Sequence, residues 1–453
     1  MPTTDIIVFG ATGFTGRLIT DYLAHHPQRA SFTFGVAGRS RAKLEALKKD
    51  LDLDDSINLV RLDVTSEEQV EEAVKSAQVV INTVGPFLYW GETVLRACVK
   101  HRTQYVDLCG ETTWIRDMIL KYDYVASKAG VLLVPSCGFD SVPADIVVYL
   151  ANKTLKAALG PRASLGPSLA VYRANAGVSG GTLATMMAIA ENVPIEKLQE
   201  AQADYALGPA VGKSGAKGRL WYEVPFSEPN RFAMDFFMAP SNRAIVQRSW
   251  ALNVTAAAAK ASKVSSAEEE DELARSLYGQ EFTYDECLEQ WPARGVLGWL
   301  SVTGASLAFA MLMALFVLAP PVRWLLKELG TPPGQGPSEE KMKMGFFEIT
   351  NQSRSVHAPG IPEVDVRTVM HGRGGDPGYL LTARMISECA LAIALEKDKL
   401  PRMAQEGGIL TPATAFGDVL IRRLEASGSF SFESHVVTPE EVCTLGEDER
   451  KQR

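Results

Sequence analysis

The opening of the chain constrains its architecture more than any other stretch. Asp5-Ile-Ile-Val-Phe-Gly10 has only apolar side chains between its ends. It runs directly into Ala11-Thr12-Gly13-Phe14-Thr15-Gly16, and then into Leu18, Ile19, Tyr22 and Leu23 at helical spacing. A short unbroken apolar run reads as a strand covered on both faces, the state of strands in a parallel sheet. Three glycines at intervals of three, set between such a strand and a helix, make a dinucleotide-binding turn. Gly10 permits the tight turn, Gly13 lets a pyrophosphate approach the backbone, and Gly16 lets helix and strand pack closely. The phosphates then face the amide groups at the helix N-terminus. The spacing is G-x-x-G-x-x-G, and Thr12, Phe14 and Thr15 complete the predicted phosphate cradle.

The following segments keep up the alternation of a doubly wound sheet. Strands are predicted at 32–37, 57–62, 79–83, 104–107 and 131–134, with a capping box at Thr65-Ser66-Glu67-Glu68-Gln69. The choice of nucleotide turns on the end of the second strand. An NAD site places Asp or Glu there for the ribose 2′-hydroxyl. This chain has Gly38-Arg39-Ser40, with Arg41 and Lys43 close behind. A guanidinium grips a 2′-phosphate bidentately, so Arg39 and Ser40 point to NADP(H). Asp63, ending the third strand, is expected beside the adenine. Asn82, Val84, Gly85 and Pro86 are expected on the nicotinamide-ribose side, because ligands sit at the carboxyl ends of parallel strands.

At 453 residues the chain is too long for one core. The expected division is an NADP(H)-binding Rossmann domain over 1–150, an α+β substrate and dimerisation domain over 151–377, and C-terminal helices with a polar tail over 378–453. The helices are expected to pack back on the nucleotide domain. Strands are predicted at 169–173, 220–224, 345–349 and 363–367, forming a largely antiparallel sheet. Thr411-Pro412 reads as an N-cap with proline at the first helical position. The acidic run Glu268–Glu272 reads as a solvated face.

A net charge of −8 argues against a general nucleic-acid binder. The six cysteines form no C-x-x-C pair and the histidines have no metal-like spacing, so no metal is expected. Reduced thiols in a cytosol-facing protein fit this usage. Neither a secretory signal nor an ER or peroxisomal address is read at the ends.

One segment stands apart. Residues 296–318 carry no charge, within an apolar insert spanning 295–319, and Arg294, Arg323 and Lys327 flank it. That length reaches the roughly 20 residues of a membrane-spanning helix. A full span would separate strands that belong to one domain. Insertion into one leaflet or a lipid-droplet monolayer keeps them together, with Arg323 and Lys327 directed to headgroups. A buried core helix is the other reading.

Val80–Phe87, Tyr105–Glu111, Cys137–Asp145, Ser179–Thr182, Gly378–Met385 and Gly408–Ala413 together resemble the saccharopine dehydrogenase-like oxidoreductases. That group includes the trans-acting enoyl reductases of mycobacterial lipid synthesis and an animal saccharopine dehydrogenase-like protein with similar apolar insertions. The resemblance implies a Rossmann oxidoreductase acting at a membrane or lipid droplet through 296–318. Mitochondrial and soluble cytoplasmic locations are the alternatives, and a homodimer is allowed. The Tyr-x-x-x-Lys pair of short-chain dehydrogenases is missing after the fourth strand, which points away from simple alcohol dehydrogenation. The candidate catalytic groups are Tyr89 as proton donor, Asp140 as an orienting group or a helix cap, and Ser179, whose glycine turn with Thr182 offers amides to an oxyanion. The substrate that the resemblance and the apolar insert imply is small and lipophilic, such as an enoyl thioester reduced at its C=C. A ketone or imine substrate, and a non-catalytic NADPH-binding scaffold, are the alternatives.

Overall fold

The computed structural model describes residues 3–175, 179–216, 218–227, 230–262, 266–329, 332 and 334–438. Cys443 and the polar tail lie outside the described residues. Among the described residues fourteen strands follow one another. The first seven are β1 (Thr4–Phe9), β2 (Phe34–Gly38), β3 (Asn58–Arg61), β4 (Ala77–Asn82), β5 (Gln104–Asp107), β6 (Leu132–Val134) and β7 (Leu165–Asn175). The rest are β8 (Tyr222–Glu223), β9 (Arg231–Asp235), β10 (Thr283–Arg294), β11 (Phe346–Ser355), β12 (Asp365–Gly372), β13 (Gly408–Ile409) and β14 (Phe430–Val436).

The first sheet is parallel throughout, in the order β3-β2-β1-β4-β5-β6-β13. Strand order reverses on either side of β1, so the crevice above the carboxyl ends of β1 and β4 is the topological switch point where α/β sheets take ligands. Ile6, Val8, Val36, Val79 and Ile81 are buried on one face, and Ile7, Phe9, Ala37 and Val80 on the other. This double burial explains why the strands read as unbroken apolar runs.

The sheet is finished by residues from the far end of the chain. β13 adds to β6, and helix Thr382–Glu396 lies over β4, β5 and β1 against helix Phe14–Ala24. The stretch Pro377–Lys399 is long and apolar enough to cross a membrane, yet 72% of its apolar window is buried. It is the core helix of this fold. A buried ionic cluster fastens it: Glu388 accepts hydrogen bonds from Tyr22 Oη (2.6 Å), His26 Nε2 (2.9 Å) and Arg423 Nε (2.7 Å). Arg423 also reaches Glu396 (2.8 Å) and Gln28 (3.1 Å). Thr411 and Thr414 form a capping box ahead of β14's approach, with Pro412 in the first turn.

The second sheet is mixed, in the order β14-β12-β11-β7-β10-β9-β8, with β7 and β10 parallel and the other pairs antiparallel. Helix Val142–Leu159 packs on β11, β12 and β14, and helix Ala239–Ala261 on β10. Arg248 of the latter helix, 1% exposed, donates to the carbonyls of Leu207 and Ile409 and pairs with Asp123 (3.3 Å). One guanidinium thus ties the second layer of helices to β13 of the first sheet. The segment 430–436 was expected among helices and tail; it is instead edge strand β14, whose alternation of Phe430 and Phe432 with polar residues has the period of a strand.

Residues 295–318 form one helix, Gly295–Leu318, with only 17% of its apolar window buried. Gly298, Val302 and Ser306 make a stripe at i, i+4 that is buried, and the helix packs on β9 and β10. It therefore lies along the edge of the body and is neither a core helix nor a free stalk. Arg323, expected to face headgroups, turns back and donates to the carbonyls of Phe316 (3.1 Å) and Val317 (2.6 Å). Those carbonyls end the helix without partners of their own, so a cation there satisfies them.

Candidate functional site

The glycine turn has the shape its sequence promised. Gly10 sits at φ +80°, where a side chain would also meet Thr83 Oγ1 at 2.6 Å. A Cβ on Gly16 would lie 2.2 Å from the Gly10 carbonyl, so helix Phe14–Ala24 presses directly on the turn. That helix has Gly13 as N-cap, no side-chain cap and no acid in its first turn. Its leading amides and dipole therefore face the crevice beside Thr12, Phe14 and Thr15 without a competing carboxylate. This fits a diphosphate.

Arg39 follows β2 and is exposed beside the turn, where Gly38 lies against Thr12. Ser40 caps the next helix, its Oγ accepting from Lys43 N–H (3.4 Å). Asp63 is occupied with its own turn, its Oδ1 accepting from Thr65 N–H (3.0 Å) and Thr65 Oγ1 (2.8 Å). These bonds, and then Arg39 nearby, hold its carboxyl below the usual range. Arg41 is turned away to Glu45 (3.0 Å) and the Leu59 carbonyl (2.8 Å), whereas Arg39 is exposed and near Asp63.

Beyond β4 the expected lining divides. Asn82 is fully buried; its Oδ1 accepts from Val84 N–H (3.1 Å) and its Nδ2 donates to Tyr105 Oη (3.1 Å). It shapes the turn from beneath and does not reach the crevice surface. Val84 and Pro86 are half-buried and Gly85 is exposed, so these three form the surface. The following helix, Phe87–His101, is capped by a residue that local spacing could not reveal. Glu111 accepts from Phe87 N–H (2.7 Å) and Leu88 N–H (2.8 Å) across the β5 loop.

The three candidate catalytic residues fare differently. Tyr89 is 47% exposed on the first turn of helix Phe87–His101, and its hydroxyl accepts from Asn192 Nδ2 (2.7 Å). It links the nucleotide side to helix Gly180–Asn192. Ser179 is the N-cap of that helix, its Oγ accepting from Thr182 N–H (3.4 Å). The amides expected to serve an oxyanion are largely engaged: Ser179 N–H donates to Tyr379 Oη, and Gly180 N–H to the Gln335 carbonyl (3.1 Å). Tyr379, which sequence reasoning passed over as a site residue, also stacks edge-on against Phe14 at 5.1 Å. It joins the glycine turn to the start of helix Gly180–Asn192.

Asp140 does not cap helix Val142–Leu159, which has Ser141 as N-cap and no side-chain cap bond. The acid in that first turn is Asp145, spent on Ser249 Oγ (2.5 Å) and Ala413 N–H (2.7 Å). Asp140 stands instead over the end of β5, where a Cβ on Gly110 would lie 3.2 Å from its Oδ2. Its Oδ1 is enclosed and has no hydrogen-bond partner among the described residues. Burial pushes its carboxyl up to about 6.

The fold and the glycine turn are those of a Rossmann-type dinucleotide-binding protein, and the family match makes it an oxidoreductase whose cofactor is NADP(H). The model of the saccharopine dehydrogenase NADP binding domain matches residues 6–134. A putative trans-acting enoyl reductase of Mycobacterium tuberculosis is 32% identical over 439 residues, covering 94% of this chain and 96% of that protein. The chain belongs to the saccharopine dehydrogenase-like oxidoreductase family. A lipid droplet localized protein of Caenorhabditis elegans is 26% identical over 462 residues, covering 96% and 98% of the two chains. Among solved structures, apo saccharopine dehydrogenase (L-Glu forming) of Saccharomyces cerevisiae superposes with a TM-score of 0.51 at 14% identity. It covers 96% of this chain and 100% of its own, which establishes a shared fold.

Proposed function

We propose that this NADP(H)-dependent oxidoreductase reduces the conjugated C=C of a lipophilic enoyl thioester. The observation that carries the reading is the end-to-end likeness, at 32% identity, to a protein named as a trans-acting enoyl reductase. Likeness to the amino-acid enzyme stops at the fold, at 14% identity. Bound NADPH supplies the hydride. The chain's own task is to orient the alkene over the crevice, exclude water and deliver a proton to the neighbouring carbon. Asp140, with one enclosed oxygen and a carboxyl able to hold a proton near neutrality, is the group proposed for that delivery. Tyr89 and Ser179 are proposed to hold helix Gly180–Asn192 over the site, through Asn192 and Thr182. Arg173 on β7 pairs with Glu289 (3.1 Å), and Arg243 on helix Ala239–Ala261 pairs with Asp285 (2.6 Å).

The test is NADPH oxidation by detergent-purified protein with 2-enoyl thioesters, ketones and imines. Turnover on the enoyl thioesters is expected. Tight NADPH binding without turnover on any of them would leave a cofactor-holding scaffold in place of a reductase.

Arg39 is proposed to grip the 2′-phosphate, with Gly10, Thr12, Gly13, Phe14, Thr15 and Gly16 around the diphosphate and Val84, Gly85 and Pro86 beside the nicotinamide ribose. A charge-assisted bidentate contact contributes roughly 1.5–3 kcal/mol, so Arg39→Ala should weaken NADPH binding by about 10- to 100-fold. NADH binding should stay within about twofold. Fluorescence titration of both nucleotides checks this; an equal loss for both would remove Arg39 from the phosphate.

The helix Gly295–Leu318 is proposed to enter one leaflet or a lipid-droplet monolayer. Its inner stripe holds it to β9 and β10, while Leu297 (80% exposed), Leu307, Met311 and Leu318 face outward, as does Trp324 beyond it. An aliphatic patch of this kind partitions into acyl chains, and a charge placed within it is costly there. The combined L297D, L307D and M311D variant should lose at least about tenfold in partitioning to phospholipid-coated triacylglycerol droplets. Flotation of wild type and variant decides it. Equal flotation would mean that another surface makes the contact.

A further inference from the structure

Helix Gly180–Asn192 is held at both ends against groups that border the crevice. At its start, Tyr379 Oη accepts from Ser179 N–H, and the Gln335 carbonyl accepts from Gly180 N–H (3.1 Å). Tyr379 Oη also lies 3.0 Å from Thr182 Oγ1, while its ring stands edge-on to Phe14 of the glycine turn (5.1 Å). At its far end, Asn192 Nδ2 donates to Tyr89 Oη (2.7 Å). The two anchors belong to the two sides of the switch point, since Phe14 follows β1 and Tyr89 follows β4. The helix between them therefore spans the place where such a sheet takes its ligand.

Thr182, Thr185 and Asn192, spaced by three and then seven residues, share one face of this helix. That face is turned to the nucleotide side: Asn192 reaches Tyr89, and a Cβ on Gly85 would lie 3.8 Å from Thr185 Oγ1. Thr182 and Asn192 are spent on the two anchors. The hydroxyl of Thr185 has no hydrogen-bond partner among the described residues. A helical threonine ordinarily turns its hydroxyl to the carbonyl one turn back, as Thr303 does to Trp299 (2.8 Å). Thr185 does not, although it is half-buried, and Gly85 beside it is exposed. A polar group is thus held, without a protein partner, over the turn that follows β4.

We propose that Thr185 is the oxyanion donor of this site, its hydroxyl hydrogen-bonding the carbonyl oxygen of the substrate thioester. This inference rests on the reductase reading and on the place given there to Gly85 beside the nicotinamide ribose. In conjugate reduction the β-carbon takes a hydride, the alkene pair shifts toward the carbonyl carbon, and negative charge gathers on the carbonyl oxygen. The α-carbon then takes a proton and the carbonyl re-forms, so one hydride and one proton are added for each NADPH oxidised. A donor aimed at that oxygen strengthens as the charge develops, and so lowers the barrier more than it tightens substrate binding. Thr185 keeps its own proton throughout. The amides of Ser179 and Gly180, the first candidates for this task, are already engaged, and a side chain further along the same helix takes their place.

The test compares wild type with Thr185→Val, which keeps the shape and loses the donor, and with Thr185→Ser, which keeps the donor. Thr185→Val should lower kcat on an enoyl thioester by about 100-fold, with Thr185→Ser within about fivefold of wild type. KM and NADPH affinity should stay within about twofold, the signature of a contact made in the transition state. The infrared carbonyl stretch of an isotope-labelled enoyl thioester, bound together with the oxidised cofactor, gives a readout without turnover. It should lie at lower frequency in wild type and Thr185→Ser than in Thr185→Val. A Thr185→Val enzyme that turns over as wild type with an unmoved carbonyl band overturns the assignment and leaves the reductase reading intact. Weakened NADPH binding with kcat preserved also overturns it, placing Thr185 on the cofactor. Equal losses in the Val and Ser variants would mark a packing role instead. Absence of turnover by wild type on every enoyl thioester overturns the reductase reading, and the assignment with it.

Discussion

Asp140→Asn is expected to lower kcat on an enoyl thioester by about 100-fold or more, with NADPH affinity within about twofold of wild type. The amide keeps the shape of the carboxyl over Gly110 but has no proton to deliver. The pH dependence of the wild type follows from the same group. Its carboxyl is raised to about 6 by burial, and a proton donor works only while protonated, so kcat should fall as pH rises through that value. The variant's residual rate should be flat over that range. Stability separates this from simple damage. A buried acid whose carboxyl is raised loses stabilisation as pH rises from its ordinary 3.8 toward 6, because the ionised form is the one the site disfavours. Removing it should leave the melting temperature at pH 8 equal to or above wild type. A slow variant that also melts early would place Asp140 in the scaffold.

Glu388→Ala should cost about 3–5 kcal/mol of folding stability, the largest single loss we expect outside the hydrophobic core. The substitution strips one acceptor from Tyr22, His26 and Arg423 together and leaves a guanidinium that is 5% exposed without its nearest counter-charge. Chemical denaturation of the two proteins measures it. Met at both 388 and 423 should recover much of the loss, since apolar replacements of a buried pair are often neutral. The adjoining Glu396 sets an acid limit on the same joint. Burial raises its carboxyl, but bonds from Arg422, Arg423 and Lys399 bring it down to about 2. Its contribution is complete above the ordinary 4.5 and is lost as pH falls toward 2. A loss below about 1 kcal/mol for Glu388→Ala would mean that this cluster is solvated in solution.

The nucleotide half was legible because the central parallel strands β1, β2 and β4 bury both faces and the turns after them carry Gly10, Gly38 and Gly85, so the pattern is complete within a few residues. The second sheet was less so. β10 reads Thr283-Tyr-Asp-Glu-Cys-Leu-Glu289 in its first part, and its acids resemble a loop. They are strand residues because Tyr172, Arg243 and Arg173 meet them from positions far off in the chain. Asp140 could be singled out from its place after a predicted strand. The buried Glu286 could not, because its setting emerges only when β10 is laid beside β7. Glu111 was hidden for the same reason: a cap that acts across two loops has no spacing to betray it.

The late arrival of β13 orders the life of the protein as well as its shape. The nucleotide unit leaves the ribosome ahead of β13, and its sheet ends at Leu132–Val134 until residues 408 and 409 are made. Until then the apolar faces of β1, β4 and β5 also lack the cover of helix Thr382–Glu396. Unpaired edges and bare apolar faces are what chaperones bind and what aggregates. The nascent chain must be shielded while β7 to β13 and the exposed apolar helix Gly295–Leu318 are still to be translated. A premature stop between residues 135 and 408 therefore yields a fragment holding the entire glycine turn but no finished nucleotide sheet, a product marked for degradation.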